Sequence, residues 1–273
     1  MALAAPERWF SWLGLHTGFG DCRMSRHRSE HATVFVDSAA LGASIPDERL
    51  FHRGRTAHSS ANRHATTGGF MRGLYLVTPD WDDTDQLLRV TESALQVGVG
   101  LLQYRHKTAS DDLRLTQATA LQALCRQYKV PFIINDYLAL CEELDADGVH
   151  VGGTDATVAA VRSVIGPNKI LGASCYGDLQ RAQEAATAGA TYVAFGGFYP
   201  SRVKKYEVST SVDIVSRAKA SIALPVCVIG GMTPENAVPL VAEGADMVAA
   251  ISSVYQHEQP ASAVAEFGRL FIK

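Results

Sequence analysis

PFIINDYLALCEELDADGVHVGGTD, residues 131–155, contains two short apolar runs, Phe132-Ile133-Ile134 and Gly148-Val149-His150-Val151. Each is followed at once by polar residues ending in a carboxylate, Asn135-Asp136 after the first and Asp155 after the second. Apolar runs this short, bounded by turn residues and separated by a helix-length segment, read as neighbouring buried parallel strands. Such strands lie about 4.8 Å apart, so carboxylates leaving two adjacent strand ends can approach one hard cation whose other positions stay open to water and phosphate. Either aspartate alone is equally well explained as a helix N-cap after a strand-to-helix loop. Two of them in successive units, one inside the tight Asn135-Asp136 pair, shift the balance toward a magnesium–diphosphate site.

The same alternation extends in both directions. Strands are expected at residues 73–77, 100–105, 132–134, 148–151, 170–173, 192–195, 225–229 and 247–250. Helical segments are expected at 83–96, 111–128, 138–143, 156–165, 179–188, 212–219, 234–243 and 261–271. Eight alternating pairs in about 200 residues are what a (βα)8 TIM barrel, an α/β fold, requires. Gly189-Ala190-Thr191 and Gly244-Ala245-Asp246 fall where a helix ends and a strand begins, with glycine as the left-handed residue that closes the helix. A doubly wound open sheet is the main rival, but no GxGxxG follows a strand.

Composition sets outer limits. The chain has 273 residues, 47% hydrophobic and 19% charged, with a net charge of −3, a mild acidic balance that gives no reason to expect nucleic acid or an anionic membrane as partner. No apolar run approaches the ~20 residues of a bilayer span. Cys22, Cys125, Cys141, Cys175 and Cys227 are odd in number, widely spaced and without a CxxC pair. They suggest neither a disulfide framework nor a zinc site and fit a reducing cytoplasm.

The chain changes character at Met71. Residues 1–70 hold six of the nine histidines, eight arginines and no lysine, without sustained periodicity. They are expected to form a poorly ordered N-terminal extension, because they offer too little apolar surface to offset the entropy of ordering. Six acidic residues argue against a transit peptide, MALAAPERWF lacks the basic start and apolar region of a secretory signal, and the histidines show no ligand spacing. The preferred organisation is therefore an extension, 1–70, outside the functional protein, and a catalytic barrel at 71–273 with Met71 as working start.

In a barrel of this kind the residues after each strand converge on one rim. After strand two, Gln103, Arg105 and Lys107 share one side of an extended chain, and an inward guanidinium and ammonium need an anion to justify their desolvation. His106 faces the other way. After strand five come Ser174, Cys175 and Tyr176. The loop after strand six carries Tyr199, Ser201, Arg202, Val203, Lys204 and Lys205, groups suited to closing over a phosphorylated ligand. Gly230-Gly231 after strand seven and Ile251-Ser252-Ser253 after strand eight occupy the usual phosphate cradle of this fold. Two anion sites follow, a monophosphate at strands seven and eight and a metal-bound diphosphate across strands two to four. No nucleophile–base pair is legible; His150 reads as a satisfied interior histidine and Cys175 as packing.

The segments QYRHK, IINDY, DGVHVGGTD, GASCY, FYPSRVKK, VIGGMTPEN and ISSVY, in this order, resemble the thiamine-phosphate synthase family from Met71 to the end of the chain. The resemblance implies a Mg2+-dependent enzyme in which a hydroxymethylpyrimidine diphosphate ionises and the nitrogen of a thiazole phosphate captures the pyrimidine cation. It implies that Gln103, Tyr104, Arg105, His106, Lys107 and Asn135 bind the pyrimidine diphosphate. By the same likeness Asp136 and Asp155 hold magnesium, and Ser174 and Lys204 touch the diphosphate. Ser201, Arg202, Val203, Gly231, Ile251 and Ser252 correspond to the thiazole-phosphate site. Arg105, Lys107, Ser174 and Lys204 are the groups expected to act in catalysis. The implied partners are these small molecules, with neither nucleic acid nor membrane; assembly into a homo-oligomer stays open.

Four positions depart from the commoner family pattern: Tyr137 for an arginine, Gly153 for a glutamine, His106 for an acidic residue and Val203 for a threonine. Val203 removes a hydroxyl and so one hydrogen bond worth about 1 kcal/mol. A related thiazole tautomerase lacks the Asn-Asp aspartate and carries a histidine where Tyr176 stands, so Asp136 and Tyr176 favour the synthase. A non-catalytic phosphate-binding barrel would need no Asp136–Asp155 pair.

Overall fold

The computed structural model describes residues 71–152, 157–200 and 210–272. Eight parallel strands close on themselves: β1 (Gly73–Val77), β2 (Leu101–Tyr104), β3 (Phe132–Asn135), β4 (Gly148–Val151), β5 (Ile170–Tyr176), β6 (Tyr192–Gly196), β7 (Val226–Ile229) and β8 (Met247–Ala250), the last pairing with β1. The helices between them are α1 (Thr84–Val97), α2 (Asp111–Tyr128), α3 (Leu138–Glu143), α4 (Val158–Ile165), α5 (Leu179–Thr187), α6 (Ile214–Ser221) and α7 (Pro234–Ala242). After β8 come a single turn, α8 (Ser252–Tyr255), and α9 (Pro260–Arg269).

The strands are short and each is buried on both faces, and this double burial is why they read as nearly unbroken apolar runs. Side chains alternate with the pleat. Leu74, Leu102, Phe132, Val149, Leu171, Val193, Val226 and Val248 point outward into the main core beneath the helices. Tyr75, Leu101, Ile133, Tyr192, Cys227 and Met247 point inward and pack against one another inside the barrel. Toward the carboxyl ends the inward positions turn polar, with Gln103, Asn135 and His150 buried there.

Helix starts follow the sequence. Asp83, Ser110, Thr157, Asp178 and Thr233 each accept a backbone N–H of the following first turn, satisfying donors that the helix itself cannot. Helix α1 turns Leu87, Thr91, Ala94 and Leu95 inward, the spacing of one helical face. Each leucine so buried stabilises the fold by roughly 1.5–3 kcal/mol.

Several elements shift by a residue or two from their expected limits, and two departures, at β5 and after β8, are larger. Strand β5 runs three residues past Ala173, with a register shift between Ser174 and Tyr176; polar Ser174 is thus a strand residue facing the barrel lumen, not part of a loop. Helix α8 is too short to show a period, yet it buries Val254 and Tyr255, whose hydroxyl meets Thr91 Oγ1 at 2.8 Å. Among the described residues no helix is long and apolar enough to cross a membrane.

Candidate active site

The carboxyl rim carries a cavity of about 970 Å³ lined by Gln103, Arg105, Lys107, Asn135, Asp136, His150, Gly152 and Ser174. Arg105 is buried and fixed from two directions. Its backbone N–H donates to Thr78 Oγ1 at 2.8 Å, and that hydroxyl donates to the Arg105 carbonyl at 3.0 Å. Its Nη1 donates to Asp80 Oδ1 and Oδ2 at 3.1 and 3.0 Å. Buried Arg105 Nε has no hydrogen-bond partner among the described residues, so the guanidinium is held in place with donor capacity left over.

Lys107 extends along the same side. Its half-exposed Nζ lies 3.4 Å from Asp136 Oδ2. Asp136 sits in the left-handed region, φ 62°, which aspartate tolerates better than most residues. Its backbone N–H donates to the His150 carbonyl at 2.9 Å. That pose directs the carboxylate across the ends of β3 and β4, where Gly152 N–H donates to Oδ1 at 3.1 Å and Asn135 Nδ2 to Oδ2 at 2.6 Å.

Tyr104 and His106 do not join this group. Tyr104 turns outward, and its hydroxyl donates to Gln117 Oε1 of α2 at 3.0 Å. His106 is buried on the far side of the chain, with Nε2 3.1 Å from Asp82 Oδ1. The pleat explains both: they occupy the positions alternate to Gln103, Arg105 and Lys107. Neither side chain is among those lining the cavity.

A second chamber, about 760 Å³, adjoins the first and shares Ser174, Tyr176 and Ile251 with it. Gly196, Gly197, Tyr199, Gly230, Gly231, Ser252 and Ser253 line it together with apolar Ala194, Ile229, Met232, Ala249 and Ala250. Gly231 has φ +61°, and a Cβ there would lie 2.3 Å from the Pro200 carbonyl oxygen. Its first role is therefore to let the chain after β6 pass close to the chain after β7. Ser253 Oγ is buried without a hydrogen-bond partner among the described residues, and the first N–H groups of the α8 turn have no partner within the turn.

Several residues singled out from the sequence, Asp155, Ser201, Arg202, Val203, Lys204 and Gly153, lie outside the described residues. Among the described residues no group of three or more His, Cys, Asp or Glu side chains is placed to hold a metal ion. Asp136 supplies one hard, partly exposed oxygen donor at the mouth of the cavity, 18% exposed at its side chain, which suits magnesium coordination completed by phosphate and water.

Sequence reasoning missed three groups, Asp80, Tyr75 and Tyr192, and it read His150 as a satisfied interior histidine, as found. Asp80, in a polar loop, carried no signal of its own. Tyr75 and Tyr192 read as strand interior, yet the Tyr192 hydroxyl lies 2.8 Å from His150 Nδ1, and His150 Nε2 lies 2.8 Å from Ser174 Oγ. A serine–histidine contact is thus present where none was legible.

A closed (βα)8 barrel with a cation-lined cavity and an adjoining glycine- and serine-lined chamber at its carboxyl rim defines a class of barrel enzymes built for phosphorylated ligands. Comparison with known proteins narrows this. The family model described as thiamine monophosphate synthase matches residues 74–254. A thiamine-phosphate synthase of Janthinobacterium sp. (strain Marseille) is 65% identical over 203 residues, covering 74% of this chain and 98% of that protein. One from Nitrosomonas eutropha is 45% identical over 199 residues, covering 73% and 94%. The solved thiamine phosphate pyrophosphorylase of Pyrococcus furiosus superposes with a TM-score of 0.66 at 28% identity, covering 74% of this chain and 96% of that one. The chain belongs to the thiamine monophosphate synthase family.

Proposed function

We propose that this chain catalyses the thiamine-phosphate synthase reaction, joining 4-amino-2-methyl-5-(diphosphooxymethyl)pyrimidine to a thiazole phosphate with release of pyrophosphate. The bond from the pyrimidine methylene carbon to the diphosphate oxygen breaks, and its electron pair leaves with pyrophosphate. The thiazole nitrogen lone pair then closes the new C–N bond. What carries this reading is the convergence of Arg105, Lys107, Asp136 and Ser174 on one cavity beside the glycine- and serine-lined chamber, in a chain of this family.

Positive groups held in place before the reaction stabilise charge that develops on a leaving group at no reorganisation cost. Arg105, fixed by Asp80 and Thr78, and Lys107 fill that role on the diphosphate, with Gln103 and Asn135 orienting the pyrimidine and Lys204 a further diphosphate contact. Asp136 and Asp155 would hold Mg2+, which when bound offsets charge on the diphosphate oxygens. Gly231, Ile251 and Ser252, with Ser201, Arg202 and Val203, receive the thiazole phosphate. Tyr104 and His106 act through packing and backbone placement.

We assign the activity to residues 71–273 and its place to the cytoplasm. Support comes from the family match over residues 74–254, from relatives that align over nearly their whole length with about 200 residues of this chain, and from Cys125, Cys141, Cys175 and Cys227, all buried and free. The test is direct. The full chain, given both substrates and Mg2+, should form thiamine phosphate and pyrophosphate in equal amounts; formation of neither would overturn the reading.

A further inference from the structure

Across the barrel lumen, polar side chains from five strands form one unbroken chain. Gln103 Nε2 donates to the Tyr75 hydroxyl at 2.7 Å, and the Tyr75 and Tyr192 hydroxyls are 2.7 Å apart. Tyr192 meets His150 Nδ1 at 2.8 Å, and His150 Nε2 meets Ser174 Oγ at 2.8 Å. Tyr75 and Tyr192 are almost fully buried, and Gln103 and His150 nearly so. The chain begins and ends on residues placed in the pyrimidine-diphosphate site.

The sequence makes room for it at one position. His150, Gly172 and Tyr192 form a single row across β4, β5 and β6, paired His150 with Gly172 and Gly172 with Tyr192. A Cβ on Gly172 would lie 2.1 Å from Tyr192 Cζ and 2.5 Å from His150 Nδ1. With no side chain between them, the imidazole and phenol rings stack at 5.6 Å between centroids.

We propose that Tyr192 is a positioning residue which, through His150, fixes Ser174 as a hydrogen-bond donor into the cavity; this rests on the function proposed above. The amide nitrogen of Gln103 can only donate, so Tyr75 accepts from it. Burial pushes both phenol pKa values well above their usual range, so each ring keeps its single proton. Tyr75 has no third partner among the described residues to receive its proton, and gives it to Tyr192. Tyr192 in turn donates to His150 Nδ1. The imidazole proton then resides on Nε2 and is donated to Ser174 Oγ, since the hydrogen bond at one ring nitrogen sets the state of the other. Ser174 therefore accepts from histidine, and its own proton is left to point at a ligand. Such a serine donates to a departing anion. With the opposite polarity His150 would accept the serine proton, the arrangement of a nucleophile and its base.

The test is the tautomer of His150 in the full chain, read by 15N NMR with labelled histidine and assigned against H150Q. The expected result at neutral pH is a neutral ring protonated at Nε2, with Nδ1 accepting a hydrogen bond. A ring protonated at Nδ1, or an imidazolium, would overturn the proposal, and this readout requires no variant at Tyr192 to fold. Tyr192→Phe should release the tautomer preference and lower kcat about 10-fold, part of what one lost oxyanion donor costs, with the KM for the pyrimidine diphosphate nearly unchanged. Wild-type turnover by Tyr192→Phe would equally overturn it. If the wild-type chain forms no thiamine phosphate, the proposed function falls, while the tautomer still decides the polarity by itself.

Discussion

Asp80 holds Arg105 with both carboxylate oxygens, 3.1 and 3.0 Å from Nη1, and its Oδ1 also accepts the Lys107 backbone N–H at 2.9 Å. One acidic side chain from the loop after β1 thus holds the Arg105 guanidinium and the backbone of Lys107, the two basic residues read from the sequence after β2. A free arginine would have to be ordered by its ligand on every turnover, whereas a held one meets the leaving group already in place.

Asp80→Asn should therefore act on the reaction more than on the fold. The Asp80 carboxylate is one-third exposed, so the pair's stabilisation is partly screened by solvent. Steady-state kinetics should show kcat/KM for the pyrimidine diphosphate lower by about 10-fold, within the range of a lost charge-assisted hydrogen bond. An unaltered kcat/KM would mean that Arg105 needs no such holder.

The pleat separates two neighbouring residues in role. Tyr104→Phe should cost about 1 kcal/mol of stability through the lost bond to Gln117 and leave KM for the pyrimidine diphosphate at its wild-type value. Gln103→Ala should raise that KM, because Gln103 faces the cavity. Parallel kinetic and denaturation measurements on the two variants check the assignment; equal effects on KM would contradict it.

Gly172→Ala places a methyl group 2.1 Å from the Tyr192 ring in a packed lumen. Overpacking of this kind costs about 1–3 kcal/mol, with roughly 2–4 °C of melting temperature lost per kcal/mol in a chain of this size. Thermal denaturation measures it. A melting temperature at or above wild type would show that the row has slack the geometry does not allow.

Burial pushes the Cys175 thiol up from its ordinary 9.0 to about 12. The folded state thus keeps a proton that the unfolded chain gives up, so this contribution to stability is complete below about pH 9 and is lost as pH rises from there toward 12. Stability measured across this alkaline window should fall less steeply for Cys175→Ala than for wild type. Identical slopes would mean that the thiol ionises equally easily in both states.

Much of the barrel was legible because each strand is buried on both faces, so four or five apolar residues between turn signals sufficed to mark it. β1, β4 and β8 match their expected limits residue for residue. Strand β5 was cut short because Ser174 and Tyr176 are polar yet face the lumen, where polarity serves the site. Gln103, Arg105 and Lys107 were read as one face because side-chain direction alternates along an extended chain. The lumen chain was not legible: Tyr75 and Tyr192 are 117 positions apart and each passes for an ordinary strand aromatic. Asp80 was missed because a carboxylate in a loop announces nothing until its partner is seen. The segments holding Asp155 and Lys204 lie outside the described residues, so their convergence with Asp136 and Arg105 stays part of the proposal.

In the proposed reaction the Asp136 carboxylate, beside Lys107 and Asn135, takes part in the departure of pyrophosphate. Steady-state pyrophosphate release by wild type and Asp136→Ala, with both substrates and Mg2+, measures it most directly. Asp136→Ala should lower kcat by about 100-fold or more, the scale of removing one preorganised electrostatic contact, with thiazole phosphate still bound. Pyrophosphate release by Asp136→Ala at the wild-type rate would contradict it.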